Sequence, residues 1–179
     1  RQMCIRDRSG NDKDADGNLI PGDAKFVKEL GGIDQDLNEM CPYIYEKAYS
    51  PHLAAQIEGN PVNLDYVVEK LRGLEKKYDY ITLEGSGGIL CPLRFDDEEI
   101  YLEDFVKKAK LSSIIVADAG LGTINNLVLT AFYMKEKGMK VKGIIFNNFI
   151  PGDVLQEDNI KMCQHMSGLK VLACVKKGD

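Results

Sequence analysis

Tyr80-Ile81-Thr82-Leu83-Glu84-Gly85-Ser86-Gly87-Gly88 runs from a short apolar stretch into a carboxylate and then a glycine-serine turn. The apolar run predicts a buried strand over 80–83. In open α/β sheets ligands bind just beyond the carboxyl ends of parallel strands. Glu84 then stands at the rim of a site, and Gly85, Gly87 and Gly88 let backbone approach a ligand closely or take φ > 0. A lone glycine turn also serves simply to reverse a chain, so other strand ends must agree. Residues 113–117 predict a strand that enters Asp118-Ala119-Gly120-Leu121-Gly122-Thr123, then a helix carrying Ile124, Leu127, Val128 and Ala131 that ends near Gly138. Residues 141–146 predict another strand, delivering Asn147-Asn148 to its carboxyl end, and 170–175 a further one. That alternation of strand, turn and helix predicts an α/β fold, a mainly parallel sheet flanked by helices. Right-handed crossovers put Glu84, the 120–123 turn and Asn147 on one rim.

The helices between these strands carry start and stop signals. Residues 24–30 predict a short helix with Asp23 at its N-cap and Gly31-Gly32 at its end. Ser50-Pro51-His52 opens another: Ser50 can cap, Pro51 suits the first helical position, and Gly59 stops it. Asn63 caps a longer helix with Leu64, Val67, Val68, Leu71 and Leu74 on one face. Residues 94–99 read as a charged loop, and 101–110 as a helix with a stripe of Leu102, Phe105, Val106 and Ala109. Asp153 and Gln156 resemble a capping box for a helix closing at Gly168. Residues 1–8 show no helical or strand period.

At 179 residues, with 44% hydrophobic and 28% charged side chains, the chain suits one folded domain with a real core. Its net charge of −5 argues against binding nucleic acid through a basic surface. No apolar run approaches the ~20 residues a membrane span needs, and no signal peptide is visible. Five cysteines, at positions 4, 41, 91, 163 and 174, include no CxxC pair, which suggests reduced thiols and a cytoplasmic setting. Cys91, Cys163 and Cys174 read as buried small fillers. Asp12, Asp14, Asp16 and Gly17 have the spacing of a calcium loop. Asp23 falls where the bidentate glutamate belongs, and amphipathic flanking helices are lacking, so an exposed polar loop is the better reading.

Chemistry follows from the residue types. The helix beginning near Thr123 offers free N–H groups and a positive dipole end, suited to phosphate or carboxylate. Gly120 and Gly122 can equally just shape that loop, with Thr123 its cap. Glu84 and Asp23 are hard oxygen ligands suited to Mg²⁺. Asn147 can donate to and accept from an adenine edge, or satisfy loop backbone. His52 is a candidate catalytic base, though a histidine near a helix start more often has a structural bond.

Taken in order, the Glu84-Gly-Ser-Gly-Gly turn, Pro92-Leu93, Gly120-Leu-Gly-Thr-Ile-Asn125, Ser50-Pro-His and Phe146-Asn147 resemble dethiobiotin synthetase. The resemblance covers roughly residues 9–175 and implies a three-layer fold of the P-loop NTPase type. It also implies closure of the ureido ring of dethiobiotin from 7,8-diaminopelargonate, CO₂ and MgATP. By motif position Asp23 and Glu84 are the Mg²⁺-associated carboxylates. Glu84, Gly85, Gly87, Gly88, Asp23 and Asn147 contact the nucleotide, Asn147 reading adenine. Ser9 lies by the diamine and carbamate, and Leu121, Gly122, Thr123 and Asn125 clamp the substrate carboxylate across a homodimer interface.

The chain departs from the family pattern in having no G-x-x-x-x-G-K-[ST] phosphate loop. Residues 1–8 sit where a strand belongs and do not look like one. The expectation is a non-native leader over 1–8 and one incomplete domain over 9–179, unstable and inactive without the first strand and phosphate loop. The alternatives are a non-catalytic relative serving as an interaction module, and a cobalamin-pathway amidoligase. The latter lacks the expected glutaminase cysteine segment here.

Overall fold

The computed structural model describes the backbone of residues 2–4 and the chain from 13 to 178. Two compact units emerge, Arg1–Ala109 and Lys110–Asp179.

In the first unit β1 (Gln2–Cys4) pairs in parallel with β2 (Thr82–Glu84), Cys4 lying opposite Glu84. Residues 1–8 show no strand pattern, yet 2–4 form one. The register comes from main-chain pairing, which three residues can make without any side-chain alternation. β2 itself is shorter and less covered than 80–83 predicts: Tyr80 and Thr82 are exposed and Leu83 only half-buried.

Helices α1 (Gly22–Gly31), α2 (Leu37–Met40), α3 (Pro51–Glu58) and α4 (Leu64–Glu75) separate the two strands in sequence. Helix α1 starts a residue before Asp23. Pro21 occupies the cap position, so Asp23 lies in the first turn, where its charge suits the dipole. Ser50 precedes α3 without a side-chain cap bond, whereas Asn63 accepts from the Tyr66 N–H as expected. The α4 stripe buries Val67, Leu71 and Leu74. The core of this unit is built on Met40, Tyr45, Val62, Val67, Leu93 and Phe105, and the Tyr45 hydroxyl donates to the Asn60 carbonyl at 2.7 Å.

The charged segment after Cys91 is a hairpin rather than a loop: β3 (Pro92–Phe95) runs antiparallel to β4 (Glu99–Tyr101). Arg94 at its tip holds Asp96 at 2.7 Å and Glu98 at 2.8 Å, so the charge run is the turn's own salt-bridge network. Helix α5 (Leu102–Lys108) follows and buries Leu102, Phe105 and Val106. It stops short of 110 because Lys110 takes φ 55°.

The second unit is a parallel sheet, β5 (Ser112–Asp118), β6 (Lys140–Phe149) and β7 (Val171–Lys176), with β6 in the middle. Ile144 and Phe146 of β6 are fully buried. Helices α6 (Thr123–Glu136) and α7 (Val154–Ser167) pack on each other, and α6 packs on β5 and β6. Asp153 caps α7 by accepting from the Gln156 N–H. Gln156 reaches the Ile150 N–H instead of closing the box. Among the thiols Cys41 and Cys163 are buried, but Cys91 is half-buried and Cys174 exposed, so the filler reading fails for Cys174.

Candidate functional site

Each unit carries part of the predicted constellation. In the first, β2 ends on Glu84, whose side chain is exposed at the carboxyl end of the β1–β2 pair. The following turn is closed by the Cys91 N–H donating to the Gly88 carbonyl at 2.8 Å. It is tied to the start of α5 by Leu102 N–H to Cys91 O at 3.0 Å and Glu103 N–H to Ile89 O at 3.1 Å. Among the turn's glycines Gly87 has φ 103°, and Gly85 is needed for a different reason. A Cβ on Gly85 would lie 2.5 Å from Cδ2 of the buried Leu102. Asp23 is exposed on α1, which packs against β1.

Two carboxylates with oxygen donors fit Mg²⁺, which keeps several waters and needs no all-protein cage. No group of three or more His, Cys, Asp or Glu able to hold a metal exists among the described residues. The calcium-loop alternative finds no support. Asp14 spends one oxygen on the Asp16 and Asn18 N–H groups and the other on the Asn18 side chain, which hold its carboxyl below the usual range. His52 is half-buried on α3, its Nδ1 enclosed without a hydrogen-bond partner among the described residues. Ser9 lies outside the described residues.

In the second unit the carboxyl ends of β5 and β6 meet the 119–123 turn. Asp118 ends β5; one carboxylate oxygen accepts from the Gly120 N–H at 2.6 Å and the other from the Asn148 amide at 2.8 Å. The Asn148 bond, then the Gly120 bond, holds this carboxyl below its ordinary value. Asn147 lies within β6, opposite Asp118, rather than beyond the strand. Its carbonyl accepts from the Ala119 N–H at 3.0 Å, and its side-chain oxygen accepts from the Asn148 N–H at 2.9 Å. The local role foreseen for Asn147 is therefore real.

Gly122, at φ 88°, is the residue that caps α6. Thr123 is buried in the first turn, its N–H donating to the Gly120 carbonyl at 3.4 Å, and the helix has no side-chain cap bond at Gly122. Leu121 is 91% exposed, and Asn125 is exposed one turn further on. Asp118, Asn148 and Asn159 organise this corner and were not singled out from sequence. An aspartate two residues before a glycine at a strand end was the available signal for Asp118. Asn159 interrupts the buried side of α7, next to Cys163 one turn on.

Comparison with known proteins gives a consistent result. A family model described as an AAA domain (AAA_26) matches residues 15–178. The chain is 45% identical over 161 residues to the ATP-dependent dethiobiotin synthetase BioD of Brachyspira hyodysenteriae, covering 89% of this chain and 73% of that one. Against BioD of Clostridium acetobutylicum it is 45% identical over 161 residues, 89% of this chain and 67% of the relative. Against BioD of Clostridium perfringens it is 40% identical over 169 residues, 94% and 74% of the two chains. A ParA family ATPase from Chlorobium tepidum superposes with TM-score 0.54 at 14% identity, covering 98% of this chain and 70% of that one. This likeness speaks for the fold alone, an α/β fold of the P-loop NTPase type. On the identity to these synthetases, across about nine-tenths of its length, the chain belongs to the dethiobiotin synthetase family.

Proposed function

We propose, against the expectation of inactivity drawn from the missing phosphate loop, that this chain closes the ureido ring of dethiobiotin from 7,8-diaminopelargonate, CO₂ and ATP. The observation that carries the reading is the 45% identity over 161 residues to an ATP-dependent synthetase. In this chemistry one amine of the diamine takes up CO₂ as a carbamate. A carbamate oxygen attacks the γ-phosphorus and ADP leaves. The second amine attacks the carbamoyl carbon, the C–O bond to phosphate breaks, and the amine proton passes to solvent as the ring closes. Phosphoryl transfer of this kind depends on positioning and charge neutralisation. Mg²⁺, held by Asp23 and Glu84, would neutralise phosphate charge.

The chain's own residues then divide the work. The 85–91 turn brings backbone close to the nucleotide, and Gly85 lets that turn lie directly against the buried Leu102. Asn147 offers its side-chain amide to adenine. The α6 N-terminus, with no side-chain cap, receives the substrate carboxylate on its leading N–H groups. Ser9, by its motif position, meets the diamine.

A homodimer completes the reading. Leu129 and Phe132, on the face of α6 that starts at Asn125, are 60% and 62% exposed, apolar surface that suits a second copy. The test is diamine-dependent ADP and phosphate release by this chain and by Glu84→Ala. Ring closure lost about a hundredfold or more in the variant, with its fold intact, is the expected result. Equal turnover removes Glu84 from the site, and an absence of diamine-dependent turnover in the unaltered chain contradicts the function.

A further inference from the structure

We propose that Asn159 is a positioning residue for the carboxylate clamp at the N-terminus of α6, acting from α7 through the backbone of the 119–120 turn. The inference rests on the reading of that turn given above. Asn159 is 7% exposed, and its Nδ2 donates to the Ala119 carbonyl at 3.0 Å and to the Gly120 carbonyl at 2.9 Å. An amide nitrogen has two N–H groups, so both are spent on these neighbouring carbonyls, and only one orientation of the side chain satisfies them. A buried amide in a helix stripe is costly unless bonded in this way.

The same short stretch is gripped from the strand side. The Gly120 N–H goes to Asp118 and the Ala119 N–H to the Asn147 carbonyl. The main-chain donors of 119 and 120 are thus held by β5 and β6, and their carbonyls by α7. Gly122, at φ 88°, turns the chain into α6, so the aim of that helix's first N–H groups follows from where Gly120 is fixed. Removing the Asn159 donors takes the side-chain amide from both carbonyls and leaves Gly120 O only the longer bond from the Thr123 N–H, 3.4 Å, so the turn can shift while Asp118 still tethers Gly120.

The experiment compares, by calorimetry on the full chain, the affinity for diaminopelargonate and for its methyl ester, which lacks the charge. The unaltered chain is expected to favour the acid by roughly tenfold or more, the scale of hydrogen bonds to a charged group. In Asn159→Leu, which keeps the volume and removes the donors, the two affinities should converge. A merely structural role would weaken acid and ester alike and leave their ratio unchanged, and that result overturns the proposal. If the unaltered chain shows no preference, or does not bind the acid, the clamp reading itself falls and this inference with it. Should Asn159→Leu lose its cooperative melt, the ratio is read by the same criteria in Asn159→Ser, which retains one donor.

Discussion

Asp118 shows how much of this site is fixed by single groups. Its carboxyl is held down by the Asn148 amide and the Gly120 N–H. A depressed folded value contributes stability that is present above the unfolded value of ~3.9 and is lost as pH falls through the lower folded one. The 119–123 turn should therefore persist through neutral and mildly acidic pH. NMR titration of the Asp118 carboxyl carbon is expected to give a midpoint below ~3.9, and one at or above it would contradict the two hydrogen bonds. Two glycines differ in what they forbid. Gly122 has φ 88° and open space where a Cβ would stand, so Gly122→Ala should cost only the conformational penalty, ~1–2 kcal/mol. Gly85 has no such φ but has Leu102 at 2.5 Å from that position, so Gly85→Ala must displace a buried leucine. Urea melts of Gly122→Ala check the first figure. For Gly85→Ala the readout is MgATP affinity, which should fall as the turn moves.

At the scale of elements, β6 is the strand on which the second unit depends, paired on both sides and carrying the fully buried Ile144 and Phe146. Phe146→Ala should destabilise by ~3–5 kcal/mol, read as a lowered urea midpoint at unchanged slope. A change below ~1 kcal/mol would mean that this side chain is not core. Elements with a strong period were legible in the sequence. The α4 and α5 stripes, the Asn63 and Asp153 caps and the three parallel strands of the second unit lie within a few residues of their expected bounds. The hairpin β3–β4 was not, because its strands are three or four residues long and its tip is a charge run that reads as loop. Nor was β1, whose pairing with β2 leaves no trace in side-chain alternation. Among the candidate site residues, Glu84 and the 120–123 turn were visible because they sit at strand ends. Asn159 was not, because its partners lie 40 and 39 residues away along the chain.

At the scale of the whole molecule, the net charge of −5 argues against binding nucleic acid through a basic surface, and no helix among the described residues is long and apolar enough to cross a membrane. The apolar face of α6 is the surface on which the proposed dimer depends. Sedimentation should show two copies for the unaltered chain and one for Phe132→Glu, whereas a monomer in both cases would remove the interface. The central claim is ring closure itself, and the most direct test is to supply diaminopelargonate, MgATP and carbon-labelled bicarbonate and to weigh the product. The expected product is dethiobiotin carrying the label in its ureido carbon, formed in step with ADP. Consumption of ATP without labelled dethiobiotin, or no reaction at all, would contradict it.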